Sequence, residues 1–227
     1  MATTAQTILD KVAKELHDIN GLKWTRAELL AWLNDGLRQV VLFQPTATNT
    51  VAAVKLSAGT RQVLPAGGWL LLNVVRNMGT DGRTPGRAIR IVSRELLNGF
   101  NPDWHTDTAT SAVRNFIYDL ADQTNFFVYP PNDGTGYVEI NYSNQPADLT
   151  SESQTIPMFD VYQGALMDYI MYRTCLKNVE YAPGAQLAAG YLATFMAAVQ
   201  GKEASEIKST PEQALGPRNV ATGGSDS

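Results

Sequence analysis

The stretch Asn115–Leu149, NFIYDLADQTNFFVYPPNDGTGYVEINYSNQPADL, decides the reading of this chain. Two alternating runs, Asn115–Tyr118 and Asn125–Tyr129, are separated by the polar DLADQT. The second run meets Pro130-Pro131, turns through Asn132-Asp133-Gly134 and returns as Tyr137–Tyr142. In that return apolar and polar residues alternate, the period of a half-buried strand. Pro-Pro is a poor continuation of a sheet ladder, and Asp-Gly favours the positive dihedrals of a tight hairpin. The expectation is a small antiparallel meander of three strands.

Working outward, amphipathic helices flank this β-region. Ile8, Leu9, Val12, Leu16 and Ile19 form one stripe of a first helix, with Asp10, Lys11, Lys14 and Glu15 facing away. Thr25-Arg26-Ala27-Glu28 reads as a capping box that starts a second helix, with Trp24 placed to staple on Leu29. That helix carries Leu29, Leu30, Leu33, Leu37, Val40 and Val41 until Pro45 stops it. A third is expected from about 157 to 179, with Val161, Leu166, Ile170, Met171 and Leu176 inward. A fourth, about 183 to 199, carries Leu187, Tyr191, Phe195 and Val199, with many alanines that allow close packing. Four stripes need cover, and a bundle closed by the first and last helix pairs covers all of them. The fold class is therefore α+β: a four-helix bundle from residues 1–45 and 156–200, an inserted, mostly antiparallel β-region at 46–155, and an extended arm at 201–227. The arm is poor in large apolar residues and cannot offset its own ordering entropy alone. Ile207, Leu215 and Val220 are spaced along it as single anchors, and Pro211 and Pro217 suit an extended segment that docks on a neighbour.

The wording of the β-region resembles the head–tail adaptor, or connector, proteins of tailed bacteriophages. The likeness lies in the order of an aromatic strand, Tyr129-Pro130-Pro131, a glycine turn, Val138–Ser143 and Pro146–Leu149. Leu56–Pro65, Trp69–Met78 and Arg87–Arg94 with Trp104 follow in the family's order, and the likeness runs over roughly residues 5 to 200. It implies a ring of identical subunits, dodecameric to match the portal, bound below the filled head with the helices toward the portal. The implied partners are the portal protein, the nozzle or tail-tube proteins, further copies of the chain, and double-stranded DNA passing without sequence-specific binding.

Composition agrees with an assembly protein. A chain of 227 residues with 44% hydrophobic and 18% charged residues buries roughly 70% of its unfolded surface. Low charge suits a surface that faces protein. Cys175 is the sole cysteine, so no internal disulfide forms and a reducing compartment is expected. MATTAQTILDKVAKEL lacks the pattern of a signal peptide, and no run approaches the ~20 apolar residues of a membrane span. The expected life history is synthesis in the host cytoplasm, then incorporation at the head–tail junction of the virion.

Chemistry is hard to find. His17 sits among charged residues beside Asp18, and His105 has no second His or Cys at ligand spacing. Cys175 has no histidine placed to activate it. Gly79, Gly82 and Gly86 lack the Lys-Ser/Thr of a phosphate loop, and Asp160 and Asp168 have no partner acid pair. No catalytic, cofactor or metal site is expected. The one charge pattern is Arg76, Arg83, Arg87, Arg90 and Arg94, set against acids in the meander: Asp119, Asp122, Asp133 and Glu139. It reads as a solvated face with local ion pairs, as a basic edge meeting a neighbour's acidic hairpin, or as a phosphate contact. RAIRIVSREL is a strand, or a strand leading into a short helix. A DNA-binding packaging ring of the small-terminase kind is the alternative function, although a net charge of −4 sits badly with a dedicated DNA binder.

Overall fold

The computed structural model describes residues 3–119, 121–178 and 183–209, with 202–209 described by backbone alone. The fold is α+β. Contacts divide the chain into a helical unit, which runs to Gln44 and includes Leu149–Ile156 and the chain from Asp160, and a β unit, Pro45–Asp148 with Pro157–Phe159.

In the helical unit α1 spans Ala5–Glu15 and α2 spans Arg26–Phe43. Thr4 caps α1 by accepting from the Thr7 amide, and Thr25 caps α2 by accepting from Glu28 N at 3.3 Å. The side-chain half of the expected capping box is redirected, because Glu28 accepts from Lys177 Nζ. Helix α1 stops at Leu16; His17 takes a positive φ of 53°. The Asp18 carboxylate then gathers the amides of Leu22, Lys23 and Trp24. This clasp turns the chain before Ile19 can join the stripe, and Ile19 is 71% exposed. The clasp also holds the Asp18 carboxyl below its usual range, the Trp24 amide first among its causes.

The later helices begin and end differently from their sequence pattern. A 3-10 turn at Asp160–Tyr162 precedes α4, Gln163–Lys177. (Helix α3 belongs to the β unit.) Val161, in the 3-10 turn, is exposed, and so is Leu176, which lies roughly 240° round the helix from Ile170. The inward face of α4 is Ala165, Leu166, Tyr169, Ile170, Met171 and Thr174. Helix α5 spans Gly184–Ser209 and buries Ala188, Phe195 and Val199, which turns Leu187 outward. It runs past the expected end near 200, since KEASEIKS is built of tolerable to strong helix formers without Gly or Pro. Helix α4 packs against α1, α2 and α5. At Gly36 a Cβ would come within 3.0 Å of the Tyr169 ring, so glycine permits the close approach of α2 to α4. Residues 152–156 seal the start of α1 through backbone bonds from Ala5 to Gln154 and Gln6 to Glu152. Arg26 ties this seal by donating to Glu152 and Asp10.

The β unit holds β1 (Asn49–Lys55), β2 (Gly59–Val63), β3 (Gly68–Asn77), β4 (Arg90–Ile91), α3 (Arg94–Phe100), β5 (Asn115–Tyr118), β6 (Asn125–Asn132) and β7 (Tyr137–Asn144). They form a three-stranded sheet in the order β1-β7-β3 and a four-stranded sheet in the order β2-β6-β5-β4. Here the expected meander fails in its second half. Strands β5 and β6 pair antiparallel, but β7 leaves β6 and becomes the centre of the other sheet. Nor does Pro130-Pro131 end β6, which runs on to Asn132.

The physical reason lies in the Asn132 side chain and the acceptor capacity of proline. Proline has no N–H but keeps its carbonyl, and Pro131 O accepts from Thr110 N at 2.9 Å. Asn132, fully buried, donates to the carbonyls of Thr110 and Ser111 and accepts from the Gly134 amide. The bonds a hairpin would have closed are therefore made to residues 110–111. Between the prolines and β7 the chain crosses from one sheet to the other. A core of Leu56, Leu71, Val74, Phe116, Phe126, Val128, Val138 and Ile140 is drawn from both sheets. A smaller one forms round Trp104, with Leu97 and Ile117.

Candidate functional site

The arginines singled out by charge lie on β3, β4, α3 and the 78–89 connection; of the acids, Glu139 lies on β7, Asp119 and Asp122 in the connection after β5, and Asp133 in the connection after β6. Arg76 on β3 stands in register with Glu139 on β7 and donates Nε to its carboxylate at 2.7 Å. Arg94 follows the Ser93 cap of α3, places Nη2 at 3.6 Å from Asp119 and lies 4.9 Å above the Phe127 ring. Asp122 faces Arg61 of β2 at 4.0 Å and accepts from Asn125. Asp133 accepts from the amide and hydroxyl of Thr135, which together lower its carboxyl, the hydroxyl most. The structure thus brings Arg76 to Glu139 and Arg94 to Asp119 within one chain.

Arg83, Arg87 and Arg90 are placed differently. All three are exposed, and among the described residues none makes an ion pair. Arg83 belongs to a loop held by Asp81, whose carboxylate accepts from the Arg83 and Thr84 amides and the Thr84 hydroxyl. Those bonds bring Asp81 down from 3.8 to about 2, the Arg83 amide contributing most. Arg87 and Arg90 flank Ile89, which is buried. Arg90 belongs to β4, which leads into α3 as one of the two sequence readings of RAIRIVSREL had it. Beside them Ile91, Leu96 and Phe100 are exposed, Phe100 at 86%. Leu96 and Phe100 share a face of α3 at i, i+4 spacing.

The buried amide that positions this segment carries no recognisable signal in the sequence. Asn77 is 4% exposed; its Nδ2 donates to the carbonyls of Arg87 and Val113, and its Oδ1 accepts from the Val113 amide. One side chain therefore pins β3 to the arginine segment and to the chain just ahead of β5. A lone asparagine at a strand end reads equally well as a turn residue. Asp18 and Asp81 carry a plainer local signal, because short acids before glycine turns are regular amide acceptors.

The other residues weighed for chemistry have structural surroundings. His105 stacks on Trp104 at 3.6 Å and shares a hydrogen bond with Thr60 Oγ1 at 2.8 Å. His17 is exposed and Cys175 is a free, half-buried thiol. Burial, with Glu15 nearby, raises Asp168; the Thr3 amide lowers Asp160. Among the described residues no group of three or more His, Cys, Asp or Glu is placed to hold a metal, and no helix is long and apolar enough to cross a membrane. Of the expected arm anchors, Ile207 falls on α5, its side chain not described, and Pro211, Leu215, Pro217 and Val220 lie outside the described residues.

What these surfaces offer is contact: an edge of exposed arginines and apolar side chains on the β unit. That is the equipment of a structural component of an assembly. The profile of the SU10 adaptor protein family matches residues 3–220, and the chain belongs to that family of phage head–tail adaptors. It is thereby a structural protein of the phage virion. No curated protein matches the chain.

Proposed function

We propose that this protein forms a homo-oligomeric ring, dodecameric to match the portal, that sits below the portal, joins the DNA-filled head to the tail and lines the DNA channel. The observation that carries the reading is the family match, which spans both units and not an isolated motif. The helices α1, α2, α4 and α5 are read as the four-helix bundle of such a subunit, supported by the packing of α4 on the other three. The portal and the tail nozzle or tube are its neighbours on either side. The net charge of −4 favours a channel in which DNA slides, since tight phosphate binding would retard it. Electron microscopy of the purified protein with and without portal tests this: rings capping portal complexes are expected, and monomers that never join a portal overturn it.

One observation favours a second reading. Arg83, Arg87 and Arg90 are exposed without an ion pair among the described residues, which a DNA-binding packaging ring could use. A salt-dependent shift of duplex DNA at physiological ionic strength would support that reading, and no shift removes it.

A further inference from the structure

Strand β1, Asn49–Lys55, presents a free backbone edge. Its register with β7 continues into Leu56, whose amide donates to Gly136 O at 2.9 Å. Because bonding alternates along an antiparallel pair, Thr50, Ala52 and Val54 face β7, and the N–H and C=O groups of Val51, Ala53 and Lys55 face away. Among the described residues none of these outward groups has a backbone partner.

The side chains show the same vacancy. Ala52 and Val54 pack on the β-unit core but are only partly buried, no residue of β1 is fully buried, and Val51 is 57% exposed. Exposed edges are normally blunted by proline, bulges or charges. Strand β1 has no proline, pairs with β7 without a register shift and carries a single charge, Lys55, at its end. By contrast β3 has three shifts, and its outer side is taken by residues 86–89 through Asn77, Gly86 and Ile89. The other sheet ends in β4, two residues long, and in β2. Leu64 N bonds Thr124 O, so by the same alternation Arg61 and Val63 of β2 also turn their backbone groups outward.

We propose that β1 is a strand-addition site filled by a second copy of this chain, which lays the outer edge of its own β2 along Asn49–Lys55. The proposal deepens the ring reading and rests on it. Main-chain groups in a row are satisfied by an extended backbone, and that backbone would cover Ala52 and Val54. Since the accepting and donating strands differ, each copy uses β1 toward one neighbour and β2 toward the other. Such head-to-tail contacts close into rings when the rotation fits, whereas β1 pairing with β1 would stop at a dimer.

Val51→Pro with Ala53→Pro deletes two outward N–H groups and leaves the bonds to β7 in place, the position where an edge strand tolerates proline. The double variant is expected to keep wild-type circular dichroism but sediment as a monomer under conditions where the wild type forms rings; Val63→Pro is expected to do the same from the donor side. Hydrogen exchange on the wild type gives a readout independent of any variant: the peptide covering 49–55 should exchange more slowly in the ring than in the dissociated subunit. Rings from the proline variants at wild-type yield, or equal exchange in ring and subunit, overturn the proposal. Rings that cap portals with this edge unprotected sink strand addition and leave the adaptor reading standing. A wild type that neither forms rings nor joins portals sinks both.

Discussion

At the scale of single residues, a few short polar side chains decide where the backbone goes. Asn77 satisfies two carbonyls and one amide in a site that is 4% exposed. Asn77→Ala leaves the buried Val113 amide and carbonyl without these partners, whereas Arg87 O keeps the backbone amide of residue 77, and unsatisfied groups each cost about 1–3 kcal/mol. The expected loss, read from urea unfolding, is about 2–4 kcal/mol; a change within error would mean that the three bonds are dispensable. Asp81 offers a test by pH. Its folded pKa, about 2, lies below the ordinary 3.8, so its contribution is present above 3.8 and is lost as pH falls through about 2. Asp81→Asn should accordingly flatten the dependence of stability on pH across that window and lower stability at pH 7, where the wild type holds the full contribution of the carboxylate. An unchanged acid slope would show that the loop does not depend on the carboxylate.

At the scale of elements, the legible parts were those in which local chemistry and tertiary structure agree. Thr4 aside, whose cap was not foreseen, the Thr25 cap, the α2 stripe and the pairing of β5 with β6 all stand as their residues imply. Val161 falls outside α4 because apolar spacing does not say where a 3-10 turn ends and a helix begins, whereas Leu176 and Leu187 lie inside α4 and α5 but off the face that each helix buries. The β6–β7 connection was misjudged for a different reason. Asn-Asp-Gly is a sound hairpin signal, but the partner of β7 is chosen by core packing and by Asn132, both set by residues distant in sequence. Of the candidate site, the arginines were plain and the intrachain partners of Arg76 and Arg94 were not, since neither the register of β3 on β7 nor the placement of α3 beside the end of β5 can be read from charge. The crossing between sheets also makes Gly136 indispensable. A Cβ there would lie 1.9 Å from Ser111 O, a backbone atom that cannot yield without breaking the Asn132 clip. Gly136→Ala is expected to cost at least about 3 kcal/mol, seen as a large fall in melting temperature or as insoluble protein. A normal melt would mean that the crossing is pliable.

At the scale of the whole molecule, assembly is separable from folding. If the exposed arginines meet acids of a neighbour, Arg87→Glu with Arg90→Glu should leave the monomer folded and abolish rings. Wild-type rings from that variant would return both residues to a solvated face. The C-terminal residues make the more searching case. Helix α5 continues to Ser209, so a deletion from Thr210 onward leaves each described element intact and removes Pro211, Leu215, Pro217 and Val220. Leu215 and Val220, separated by prolines and polar positions, cannot build a core of their own, but they can add contact area along a neighbour or the portal at a reduced entropy of docking. The truncated protein should be soluble and melt like the full chain, because every described helix and strand is retained. Its rings should form at higher protein concentration, and its capping of portals should weaken by tenfold or more, which corresponds to about 1.4 kcal/mol of docking free energy. Equal binding of the truncated and full-length chains to portals would make residues 210–227 a tail without a docking role, and would leave the β edges and the arginine segment to account for assembly.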